Sequence, residues 1–240
     1  MTETRQDAVF TNQGPLKSNS LKNQAYEQIK DAILYRRLKT NIVYAQDDIC
    51  QELGISRTPV REALIALQSE GYITFVRGRG FQVNELTKKE GMDIVELRRE
   101  IELFGAELAA ERIDDAQLAK LKQISREMEE AEQNQDSGEM YKLDFQFHNL
   151  IFKATGNSWL QEVHNKLREN FLRVETQNAF EKPSVARKVF REHEKVIEAL
   201  ETRNPTLARR AMKNHMDHTY KRTLVKLFGK EQAKAAEKGK

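Results

Sequence analysis

The chain has 240 residues, with 40 Lys and Arg against 37 Asp and Glu, for a formal net charge of +3. Its one cysteine excludes a scaffold stapled by internal disulfides, and no run approaches the roughly 18–20 apolar residues that a membrane-spanning helix needs. With 4 Pro, 11 Gly and a hydrophobic fraction of 39%, the composition is that of a mainly helical soluble protein of one large or two small domains.

Residues 1–20 show no hydrophobic period and lack the apolar core of a signal peptide; they are expected to form a flexible arm. From Leu21, the residues Ala25, Ile29, Ile33 and Leu34 recur at spacings of three and four, which predicts a helix running to about Leu38. Lys39-Thr40-Asn41 then reads as a polar connector. A short helix over Gln46–Leu53 is stopped by Gly54, at the position that favours a left-handed residue. A second short helix is capped by Ser56 or Thr58, has Pro59 near its first position, and buries Val60, Ala63, Leu64 and Leu67. Tyr72–Val76 reads as a strand, Arg77-Gly78-Arg79-Gly80 as a tight turn, and Phe81–Val83 as the return strand. This element order is that of a winged helix-turn-helix filling residues 21–84. Cys50, on its first short helix, is expected to be a buried thiol.

From Thr87 onward the pattern is helical. Punctuation at Ile113-Asp114-Asp115, Asp136-Ser137-Gly138, Gly156-Asn157-Ser158, Lys182-Pro183-Ser184 and Asn204-Pro205 predicts six helices, about 88–112, 115–135, 138–155, 157–180, 184–203 and 205–228. Residues 85–228 therefore read as an all-α bundle, and 229–240 as a Lys-rich disordered tail. Trp159, Phe145, Phe147 and Phe152 are expected in the core.

Where the charge lies is more telling than its total. Residues 21–84 hold nine basic and seven acidic side chains, and 85–228 hold 25 and 26. Arg57 and Arg61 lie four apart at the start of the second short helix, and Arg77 and Arg79 flank Gly78 at the hairpin tip. Four arginines thus converge on the edge that a recognition helix and wing present to DNA, where guanidinium groups suit guanine edges and phosphates. Asp47 beside them would repel phosphate.

The run Gly54-Ile55-Ser56-Arg57-Thr58-Pro59-Val60-Arg61-Glu62-Ala63-Leu64, followed by Leu67, Glu70-Gly71 and a basic wing, resembles the GntR family of bacterial transcription regulators. The resemblance implies operator contacts from Ser56, Arg57, Thr58 and Arg61, and from Arg77, Gly78 and Arg79 in the wing. The chain departs from the family in having Thr40-Asn41 where members usually have Pro-Gly, and Asp47 where many have Arg.

In the helical half, Asp144 and His148 are four apart, about 40° around one helix. His193 and His215 sit on two later helices among apolar residues. Imidazoles and a carboxylate turned into a bundle must be paired or bound to metal, and one Asp with three His forms an N₃O set for a borderline divalent ion. Spacing alone leaves capping or surface roles equally open. Residues 88–226 also resemble the effector-binding (FCD) domain of the FadR-type branch of that family, in Glu96-Leu97-Arg98 with Glu102, Asp144-x-x-Phe147-His148, Gly156-Asn157, Glu192-His193 and Ala208-x-x-x-Met212-x-x-His215. Six helices match the shorter VanR-like subgroup. The resemblance implies that Asp144, His148, His193 and His215 bind a divalent metal, zinc first and nickel or manganese otherwise, and that Arg98 anchors an anionic effector, its guanidinium suiting a carboxylate. Asn170, on the stripe Val163, Leu167, Phe171 and Val174, is a further effector candidate or a structural hydrogen-bonder. His164 and His218 fall outside the family pattern and read as structural or exposed.

The expectation is therefore a cytoplasmic transcriptional repressor, not an enzyme, that binds a pseudo-palindromic DNA operator as a homodimer and responds to a small organic acid. The rivals are a metal-dependent helical-bundle enzyme carrying a DNA-binding module, for which no general base is evident, and a regulator whose helical half only dimerises.

Overall fold

The computed structural model describes residues 21–174, 180 and 182–229. The expected arm, the tail from 230 onward, and residues 175–179 of the fourth predicted bundle helix lie outside the described residues. The chain divides into two compact units, one up to Asn84 and one from Glu85.

The first unit holds α1 (Leu21–Leu34), β1 (Val43–Tyr44), α2 (Gln46–Leu53), α3 (Arg57–Ser69), β2 (Ile73–Val76) and β3 (Gly80–Val83). Ala25, Ile29 and Ile33 of α1 pack with Val60, Ala63, Leu64 and Leu67 of α3, and Tyr72, Ile73 and Phe81 complete the core. Helix α1 stops four residues short of the predicted Leu38. The last core residues of its stripe are Ile33 and Leu34, and Arg36 then turns left-handed at φ 55°. The predicted connector leads into an unforeseen strand: β1 pairs antiparallel with β3, Val43 opposite Gln82 and Tyr44 opposite Phe81, in a sheet of order β1-β3-β2. Gly80 makes that pairing possible. At φ +124°, a Cβ on it would lie 2.0 Å from the Tyr44 carbonyl oxygen, so no other residue fits there without parting the strands. Gly54 ends α2 at φ 66°, as the sequence predicted. Cys50 is half-buried rather than buried, because Ile49 takes the inward position of the short helix.

The second unit holds six helices among the described residues: α4 (Lys88–Arg112), α5 (Asp115–Gln133), α6 (Ser137–Ala154), α7 (Ser158–Val174), α8 (Pro183–Glu201) and α9 (Pro205–Phe228). Local chemistry sets their starts. Thr87 and Glu90 form a reciprocal capping box on α4, as Asp114 and Gln117 do on α5. Asn204 caps α9 ahead of Pro205 at its first position. Helix α4 runs along α9 and also packs on α6 and α7, while α5 lies against α6 and α8.

On α7 the buried face is Leu160, His164, Arg168, Phe171, Leu172 and Val174, of which Phe171 and Val174 belong to the predicted stripe. It differs from the predicted stripe because two of its members are polar. Trp159, expected in the core, therefore points outward and is 78% exposed. Phe147 and Phe152 are fully buried and Phe145 partly so.

Close packing at the centre yields a stability prediction. A Cβ on Gly105 of α4 would sit 2.6 Å from Cζ of Phe152, whose ring stacks on His164 with centroids 3.7 Å apart. Gly105→Ala gains about 1 kcal/mol of helix propensity but must displace an enclosed ring, at roughly 1–3 kcal/mol. Urea unfolding is expected to show net destabilisation.

Candidate metal centre and nucleic-acid interface

In the first unit, α3 and the β2–β3 hairpin line one open groove whose walls include Arg57, Arg61, Arg77, Gly78 and Arg79. The four arginines are exposed, as are Ser56 and Thr58 at the start of α3. Ser56 takes the N-cap backbone conformation, but its side chain makes no capping hydrogen bond. Gly78 is left-handed at φ 69°, and the Arg79 N–H closes the hairpin turn on the Val76 carbonyl at 3.0 Å. Ile65 and Phe75 add apolar surface to the same groove.

Asp47 has a use that the sequence did not reveal. Its Oδ2 accepts from Arg57 Nη2 at 2.6 Å, and Gln46 Nε2 donates to the Arg57 carbonyl at 3.0 Å. The ion pair is exposed, so it holds Arg57 weakly and yields to a competing phosphate. Asp47→Ala is expected to strengthen nonspecific duplex DNA binding roughly threefold or more at low salt and to steepen its salt dependence; fluorescence anisotropy on random-sequence DNA measures both.

In the second unit, α6 supplies Asp144 and His148, α8 supplies His193 and α9 supplies His215. The three imidazoles are buried, each with a ring nitrogen within 4.8 Å of the others. His148 Nε2 and His215 Nε2 are 3.3 Å apart. Asp144 Oδ1 lies 3.6 Å from His193 Nε2 and 3.9 Å from His148 Nε2. Donors about 2.0–2.2 Å from a shared divalent ion stand at comparable separations from one another.

The outer nitrogens explain why the inner ones face the centre. His148 Nδ1 bonds Glu102 Oε2 at 2.8 Å, and His215 Nδ1 bonds Glu192 Oε2 at 3.0 Å. His193 Nδ1 lies 3.5 Å from Met128 Sδ. A carboxylate on Nδ1 holds the proton there and turns the Nε2 lone pair inward. Two such lone pairs 3.3 Å apart repel each other unless a cation lies between them. His193 Nε2 is buried and has no hydrogen-bond partner among the described residues. Burial pushes the His148 imidazole down to about 4 against the pull of Glu102. Burial first, and then His215, holds His193 well below its usual range. Both rings are neutral near pH 7, the form that ligates a metal. Burial alone would raise the Asp144 carboxyl, but Arg168 first and then the neighbouring imidazoles hold it far below the usual carboxylate range. These donors fit a divalent ion.

The remaining candidates divide. Arg98 is 1% exposed and reaches the centre indirectly. Its Nε donates to Glu102 Oε1 at 3.1 Å, and its guanidinium lies over the Phe171 ring at 4.4 Å. Asn170 faces away from that network: its Nδ2 donates to the Lys166 carbonyl and its Oδ1 accepts from Arg173, both on its own helix. His164 is fully buried, with Nε2 3.3 Å from Glu102 Oε1. His218 is part-exposed, with Nδ1 2.7 Å from Glu192 Oε1. Sequence reasoning missed Arg168, which is 1% exposed and donates from Nη2 to Asp144 Oδ2 at 2.9 Å. Its signal was available: an acid turned into a bundle needs a cation, and Arg168 lies two turns beyond Leu160 on the buried face of α7.

Two family models match the chain: bacterial regulatory proteins of the gntR family over residues 21–83, and the FCD domain over residues 93–218. The HTH-type transcriptional regulator LutR of Bacillus subtilis (strain 168) is 29% identical over 187 residues, which are 70% of this chain and 84% of LutR. The gluconate operon transcriptional repressor of the same organism is 29% identical over 201 residues, 80% of each chain. Among solved structures, E. coli McbR/YncC shares the fold with a TM-score of 0.75 at 23% identity, over 85% of this chain and 97% of that one. With the FCD model spanning more than half of the chain and the gntR model spanning the unit before it, the chain belongs to the gntR family of bacterial regulatory proteins, as a DNA-binding transcriptional regulator of the FCD-domain branch.

Proposed function

We propose that the chain is a homodimeric repressor whose hold on a pseudo-palindromic operator responds to a divalent ion and a small organic acid in its FCD domain. The observation that carries this reading is the pair of buried imidazole nitrogens 3.3 Å apart, each turned inward by a carboxylate on its other nitrogen. Asp144, His148, His193 and His215 hold the ion. Zinc is the first expectation, and nickel or manganese suits the same donors. When bound, the ion supplies a Lewis-acid position for the acid's carboxylate. Arg98, one bonded carboxylate away from His148, is the proposed anchor for the rest of the acid. Asn170 is not retained, since its side chain is engaged within its own helix.

The relatives named as regulators support a sensor rather than an enzyme, and the gluconate operon repressor supports the sign of regulation. Action on DNA supports a cytoplasmic location; no helix among the described residues is long and apolar enough to cross a membrane. The acid acts by binding one arrangement of the dimer better than the other. Footprinting on DNA upstream of the protein's own and adjacent genes tests the reading. The expected result is a symmetric protected site, released by a carboxylate only while metal is bound. Asymmetric protection, or release indifferent to chelator, would overturn it.

For the dimer, the support is apolar surface. Leu97 and Phe104, seven apart on α4, are 51% and 43% exposed, and Val163 on the neighbouring α7 is 43% exposed beside Trp159. Leu97→Asp/Phe104→Asp is expected to give a monomer by light scattering, with operator affinity reduced about tenfold or more, because each half-site must then be bound separately.

A further inference from the structure

We propose that Arg168 is the positioning residue that keeps the metal centre open to an exogenous anion, an inference that rests on the metal reading above. Asp144 is the one anionic member of the ligand set, and its two oxygens are treated differently. Oδ2 accepts from Arg168 Nη2 at 2.9 Å. Oδ1 is the oxygen near the imidazoles, 3.6 Å from His193 Nε2 and 3.9 Å from His148 Nε2. A carboxylate free at both oxygens chelates a divalent ion readily; one whose second oxygen is held by a guanidinium donates through the first alone. Arg168 thus preserves a coordination position that Asp144 would otherwise occupy.

The same contact acts on charge. Asp144 and Arg168 cancel, as Glu102 and Arg98 do on the other side of His148 and as Glu192 and Arg222 do beside His215. Imidazole ligands bring no negative charge to an ion, which therefore keeps its positive charge in a buried site, where that charge favours an incoming anion strongly. Arg168 Nε, also buried, has no hydrogen-bond partner among the described residues. The guanidinium is fixed by burial and lies 5.6 Å from the Phe145 ring. Its place on α7, one turn beyond His164, puts it on a helix that supplies no metal ligand, so changing it removes no donor.

The test uses the full-length chain loaded with Co(II), whose visible bands report coordination, and azide as the anion probe. Wild type is expected to show bands that shift saturably with azide. Arg168→Met is expected to retain Co(II), to show altered bands before any azide is added, and to bind azide at least about tenfold more weakly. Arg168→Gln, which keeps a donor but not the charge, should move in the same direction and stands in if the Met variant does not fold. Arg168→Lys, which keeps the charge, should recover azide affinity to within about threefold of wild type. Unchanged bands and azide affinity in the Met or Gln variant would overturn the role of Arg168 while leaving the metal site intact. A Lys variant as weak as Gln would overturn it too, by showing that packing rather than charge is at work. A wild-type chain without bands that depend on His193 would overturn the metal reading itself.

Discussion

Purified His193→Ala is expected to retain less than a tenth of the wild-type metal after dialysis against a weak chelator. Structural zinc sites built from four protein ligands bind with about 10–16 kcal/mol at neutral pH, so one ligand in four accounts for roughly 3 kcal/mol, or about two orders of magnitude in affinity. His193 is a demanding position to lose, because its ring also stacks on Phe147 at a centroid distance of 3.9 Å. The substitution therefore opens a cavity as well as removing a donor. The two effects separate in the metal-free proteins: the packing loss lowers the melting temperature of the variant with or without metal, whereas the metal-dependent rise in wild type, which follows mass action, disappears in the variant. Unchanged metal content by elemental analysis would remove His193 from the ligand set.

The second large effect is expected at the DNA-reading edge. Arg57→Ala/Arg61→Ala should lower operator affinity by at least about a hundredfold, at roughly 1–3 kcal/mol for each guanidinium that reads a base edge. Both side chains are exposed, so the folded unit should keep its stability to within about 0.5 kcal/mol. This distinguishes lost recognition from lost structure. Arg77→Ala/Arg79→Ala, at a hairpin tip built to approach the backbone, should weaken all sequences alike and reduce the salt slope by about two per bound protomer if each arginine meets one phosphate. Anisotropy titrations on operator and scrambled duplexes at several salt concentrations separate the two patterns. A double variant of Arg57 and Arg61 that still discriminates operator from scrambled DNA would displace α3 as the reader.

Much of the fold was legible because its boundaries are written in local chemistry. Thr87 with Glu90, Asp114 with Gln117, and Asn204 before Pro205 fix helix starts using only neighbouring residues. The errors came where tertiary context decides. Strand β1 is two residues long and is defined by its pairing with β3, not by a pattern of its own. On α7 the apolar period pointed to Val163 and away from His164, because the face that turns inward carries an imidazole and a guanidinium in place of hydrocarbon. The misplacement of Trp159 and the omission of Arg168 share that single cause. The metal-ligand candidates, by contrast, were visible as spaced residues on three helices. Their carboxylate partners Glu102 and Glu192 lie on separate elements, and only folding brings them to the outer nitrogens.

Helix α4 is one continuous rod of 25 residues, about 37 Å long. Two successive residues of it belong to different worlds: Leu97 faces out, and Arg98 is locked to Glu102 in the interior. Such a rod does not rotate or slide one side without carrying the other. A shift of α4 as a body against the metal centre is therefore also a displacement of the surface that bears Leu97 and Phe104, with the backbone itself as the rigid link and no relay of side chains required.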